Sequence, residues 1–68
     1  MVLRDAALEH DDDARLWALY GAQCARVGRL DEATRAFAHA VWLRERRREP
    51  GKAAATRALL DRLARSAA

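Results

Sequence analysis

A chain of 68 residues with a single cysteine, Cys24, has no covalent staple to hold it together. One thiol cannot close an internal disulfide, and His10 and His39 fall into none of the Cys/His spacings that hold a structural zinc. A domain of this length buries only about 60% of the surface that its unfolded chain exposes. The chain therefore makes one domain at most, with a marginal core, and self-association or a partner is the expected source of the missing support. Seventeen residues are alanine and none is isoleucine, so large core side chains are few. Alanine, leucine and arginine favour helix and β-branched residues are scarce, which predicts an all-α fold.

Twelve arginines and one lysine against ten acids give a formal net charge of +3. That balance favours solubility and attracts acidic surfaces, but does not by itself mean nucleic acid. No apolar stretch approaches the length of a membrane span, and Met1 to Glu9 carries acids where a signal peptide has an apolar centre. A cytoplasmic location is the expectation.

Residues 1–10 place apolar side chains at 3, 7 and 8, enough for a short helix or a docked tail. Asp11, Asp12 and Asp13 offer N-caps and negative charge to a first helix running to about Val27. At 100° per residue its buried face gathers Trp17, Tyr20, Gly21, Cys24 and Gly28, with Leu16 and Val27 beside them. Arg15, Leu19, Ala22 and Arg26 share the opposite side. Gly28 and Arg29 interrupt the pattern, and Leu30-Asp31-Glu32 restarts it with acids in the first turn. Leu30, Ala33, Phe37, Ala40 and Val41 form the core stripe of a second helix reaching about Arg47, while Trp42 lies on the far face with Arg35, Ala38 and Arg46. Glu49-Pro50-Gly51 breaks the second helix, and a third begins near 51. Thr56, Leu59, Leu60, Leu63 and Ala67 share its apolar sector, with Arg57, Asp61, Arg62 and Arg65 outside.

The hairpin resembles the tetratricopeptide repeat, whose pattern runs W-x2-L-G-x2-Y, an alanine, A-x3-F and a late proline. Trp17-x2-Tyr20-Gly21-x2-Cys24 matches the first helix, Gly28-Arg29-Leu30-Asp31-Glu32-Ala33 the turn, and Ala33-x3-Phe37-x2-Ala40 the second helix. Gly21 and Ala33 are small where two helix backbones approach, and Trp17 and Phe37 fill the space above and below. Tyr20 stands where leucine is common, Cys24 where an aromatic is common, and Pro50 falls later than the repeat's proline. The resemblance covers residues 14–47. It implies an antiparallel tetratricopeptide-like hairpin over 11–48 and a capping helix over 49–68, preceded by the tail of 1–10. About three such repeats are usually needed for stability, and this chain has one.

In that family the first helix lines a groove for extended peptides, so Arg15, Leu19, Ala22 and Arg26 are the candidate partner-binding residues, the arginines holding carboxylates. The alternative is a solvated stripe covering one leucine. The Lys/Asn carboxylate clamp of chaperone-binding members needs more than one repeat, and this helix has neither residue. Trp42 beside arginines is a candidate interface anchor, and Trp42, Leu59 and Leu63 are the candidate oligomer contacts; the alternative is cover from within the chain. The run Arg44 to Glu49 invites a nucleic-acid reading, against which two glutamates dilute it, no aromatic platform flanks it, and a solvated helix C-terminus explains it.

No metal, cofactor or catalytic constellation is read from the sequence. His10 with Asp11 to Asp13 fits no calcium loop, Cys24 lies in the buried sector, and His39 has no nucleophile at a recognisable offset. The expected function is non-enzymatic: an interaction module that associates with itself and binds a protein or peptide. The alternatives are a small basic nucleic-acid-binding regulator and a structural piece of a larger repeat assembly.

Overall fold

Two helix ends are made by the same backbone device, and between them they set the architecture. The computed structural model describes residues 12–67, as three helices: α1 (Ala14–Arg26), α2 (Leu30–Arg46) and α3 (Pro50–Ala67). The expected segment 1–10 lies outside the described residues. Asp13 caps α1, its side chain accepting from the backbone N–H groups of Arg15 and Leu16, which satisfies donors that a helix start leaves without partners.

At the end of α1 the Arg29 N–H donates to the Cys24 carbonyl at 2.8 Å and the Gly28 N–H to the Ala25 carbonyl at 3.2 Å. Gly28 sits at φ +83°, so the turn is a Schellman motif closed by its usual residue. The end of α2 repeats the pattern: Glu49 N–H to the Arg44 carbonyl at 2.9 Å, Arg48 N–H to the Glu45 carbonyl at 3.0 Å. Here the left-handed position is held by Arg48 at φ 57°, a conformation that costs a residue with a Cβ about 1–2 kcal/mol. Pro50 follows as the first residue of α3, where its missing N–H removes nothing from the helix. Gly51 lies inside α3.

Contacts between α1 and α2 run in opposite directions along the two helices: Asp12 with Arg47, Trp17 with His39, Tyr20 with Glu32. The pair is thus an antiparallel hairpin. Gly21 meets the Phe37 ring so closely that a Cβ there would stand 3.0 Å from ring carbon Cδ1, so the bare backbone is what admits the ring. The second connection turns the chain again and lays α3 on α2, making α2 the central helix.

Its position explains a buried arc wider than one stripe. Ala33, Phe37, Ala40 and Val41 are buried as expected, Leu30 is half-buried, and Ala36 and Leu43 are buried as well, because α2 has a neighbour on each of two sides. Ala14 and Ala53 are the buried residues near the starts of α1 and α3. Among the described residues five of the nine buried apolar ones are alanine, which brings the helices close but removes little apolar surface from water.

Two expectations on α1 fail for a common reason. Val27 and Gly28 project onto its buried face, yet both are exposed, Val27 at 66%. The helix stops at Arg26, and beyond it the residues no longer follow the 100° screw on which the projection rests. Among the described residues no helix is long and apolar enough to cross a membrane.

Candidate protein-interaction surfaces

The expected site residues divide among three separate surfaces. Arg15, Leu19, Ala22 and Arg26 are all exposed along the outer side of α1, Leu19 at 48%. They form the expected stripe of one large apolar side chain framed by arginines. Trp17, only two residues from Arg15 and Leu19, points about 160° away round the axis. The stripe therefore does not join the aromatic residues between the helices.

Those aromatics form a continuous row of ring contacts. The Trp17 ring lies 4.5 Å from His39 at 63°, and 6.2 Å from Tyr20 at 67°. His39 in turn stacks on Trp42, 5.7 Å between centroids and 29° between planes. The Arg46 guanidinium carbon stands 4.7 Å from the Trp42 ring centroid. The row Tyr20, Trp17, His39, Trp42 and Arg46 thus crosses from α1 to α2. Trp42 near its end is 49% exposed while in contact with both His39 and Arg46. A large side chain fixed before contact loses little rotamer freedom when a partner covers it. Its exposed aromatic face and cation–π contact keep it the candidate interface anchor.

Sequence reasoning identified Trp42 on the outer face together with Arg46, but missed His39 as the link to Trp17. The i, i+3 spacing of His39 and Trp42 carried that signal; the contact of His39 with α1 did not follow from spacing.

Leu59 and Leu63 lie on the third surface. Thr56, in the same sector of α3, is fully buried, Leu60 and Leu63 are half-buried and Leu59 is 40% exposed. This sector covers α2 along its Ala53–Thr56 edge and leaves Leu59 at the rim. Trp42 lies about 160° round α2 from Arg44, the residue that meets α3, so Trp42 and the α3 leucines are not one patch.

Most of the basic run is engaged within the chain. The Arg44 guanidinium donates to the buried Thr56 hydroxyl, which itself donates to the Lys52 carbonyl at 2.9 Å. Glu45 pairs with Arg57 at 3.0 Å, Arg46 covers Trp42, and Arg47 lies 3.7 Å from Asp12. A reading of this run as a wholly solvated helix end is corrected for Arg44, which is partly buried and ties α3 to α2. Nothing in the local sequence shows this, because the acceptor lies twelve residues away.

Tyr20 donates its phenol hydrogen to Glu32 Oε2, fastening α1 to the first turn of α2. That bond, followed by burial and the neighbouring Cys24, pushes the phenol up from 10.0 to about 12, because a phenolate could not donate to the carboxylate. Cys24 itself is buried and free. A broad depression at the first turn is lined by Gly28, Arg29, Leu30, Asp31, Glu32 and Arg35 and opens widely to solvent. Among the described residues no three His, Cys, Asp or Glu side chains converge on a common metal position.

Compared with protein-family models, curated proteins and solved structures, the chain gives no match.

Proposed function

We propose that the chain is a protein-interaction module of tetratricopeptide-like design that associates with itself and offers its outer surfaces to a protein or peptide. The observation that carries this reading is Trp42, a half-exposed indole held between His39 and Arg46 on the central helix. A tryptophan restrained in this way does little for the core of its own chain, and covering it by a partner removes a large apolar area from water. The alanine-rich core supplies the second argument. A hairpin with one neighbour has the surface of a repeat without the stack that normally buries it.

The α1 stripe Arg15, Leu19, Ala22 and Arg26 is the complementary surface for an extended acidic segment, through forked arginine–carboxylate hydrogen bonds around one apolar contact. Trp42→Ala and Leu19→Arg test the two surfaces separately, with circular dichroism as control. We expect helicity to stay nearly unchanged in both, self-association to be lost in the first, and partner binding to weaken in the second. Unfolding of Trp42→Ala would show that the indole belongs to the core and would overturn the reading.

A further inference from the structure

The outer face of α2 is charged in a way that is complementary to itself when reversed. Asp31, Arg35, Ala38, Trp42 and Arg46 are all exposed and fall within an arc of about 80° on the helix. The acid stands in the first turn and the arginine that covers Trp42 in the last. Among the described residues neither the Asp31 carboxylate nor the Arg46 guanidinium forms an ion pair within its own chain. The middle of the stripe is Ala38, the smallest of its side chains, where two helices can approach most closely.

From this we infer that the partner of the Trp42 face is a second copy of the chain, docked α2 against α2 in antiparallel orientation about a two-fold axis between Ala38 and His39. The proposal rests on the self-association reading above and fixes its geometry. In this register Asp31 of each copy opposes Arg46 of the other, and Arg35 opposes the edge of Trp42. The two-fold repeats each contact, so one complementary pair supplies two ion pairs per dimer. A parallel pairing would instead oppose Asp31 with Asp31 and Arg46 with Arg46. Charge complementarity thus selects both the occupant and its direction. The contact spans roughly four turns of one helix, about 24 Å by about 10 Å or a few hundred Å² per copy, well short of the roughly 800 Å² per partner of a standard interface, so the dimer is expected to be weak.

The test uses Asp31→Arg and Arg46→Asp, both exposed positions, measured by sedimentation equilibrium over a concentration series in moderate salt. Each variant alone places like charges opposite each other twice, and dimerisation is expected to weaken about tenfold or more. Mixed in equal amounts, the two chains regain both opposite-charge contacts in a heterodimer, and dimerisation is expected to return. Both variants remain net positive, so a general attraction between them cannot produce that result. Helicity of each variant alone is checked first. If either is unfolded, the milder pair Asp31→Asn and Arg46→Gln is expected to weaken the dimer, less steeply. A wild-type chain that dimerises through Trp42 while the mixture fails to associate would overturn this register and leave self-association standing. A wild-type chain that is monomeric throughout would overturn both.

Discussion

Arg48 and Tyr20 are the residues whose local chemistry departs most from what their positions ordinarily ask. Arg48 closes a Schellman turn at φ 57° where Gly28 closes the matching one. Arg48→Gly is expected to stabilise the chain by about 1 kcal/mol, raising the thermal midpoint by about 4–8 °C for a domain of this size; an unchanged midpoint would mean that the turn carries no strain. Tyr20 is the sole tyrosine, so phenolate absorbance reports it without ambiguity, and it should titrate near 12 instead of 10.0. The sign of the stability effect follows from proton binding. Below pH 10 the phenol is protonated in folded and unfolded chains, and its bond to Glu32 contributes in full. Between about 10 and about 12 the unfolded chain gives up the proton and the folded one keeps it, so stability falls as pH rises. Tyr20→Phe should remove that part of the alkaline loss. Glycine at 28 made the first turn legible in the sequence, whereas an arginine in the same conformation at 48 gives no local signal, and the break was legible there only through Pro50.

At the scale of elements the sequence carried most of the information. The helices expected over about 11–27, 30–47 and from near 51 are found at Ala14–Arg26, Leu30–Arg46 and Pro50–Ala67, because capping residues and proline mark their ends. What could not be read was how α3 is held. Its buried edge is Ala53 and Thr56, and the buried hydroxyl is satisfied by Arg44 from α2 and by the Lys52 carbonyl. Periodicity marks Thr56 as inward-facing but cannot name an acceptor or donor on another helix. Thr56→Val keeps the volume and deletes the hydrogen bonds, and is expected to cost about 1–2 kcal/mol in urea unfolding. Thr56→Ser should retain most of that stability. Equal loss in both would assign the effect to packing of the methyl group instead.

For the whole molecule the question is how so small a core suffices. The chain exposes 4870 Å², whereas a compact monomer of its mass exposes about 4,300 Å². Its backbone extends 31 × 29 Å but only 12 Å in the third direction, a flattened shape with little interior. Leu19, Trp42 and Leu59 are exposed. Of the candidate site residues, the exposure of Trp42 and of the α1 stripe was legible from helical projection. Their separation from each other and from Leu59 and Leu63 was not, since it depends on how the helices pack. A thin alanine-lined core beside an exposed indole is the physical basis of the proposed self-association. The most direct test is the molar mass in solution by light scattering across a concentration series in moderate salt. Self-association predicts a mass rising with concentration toward about twice the 7.6 kDa of one chain, and a rise abolished by Trp42→Ala. A folded wild-type chain that stays at 7.6 kDa across the series would contradict it.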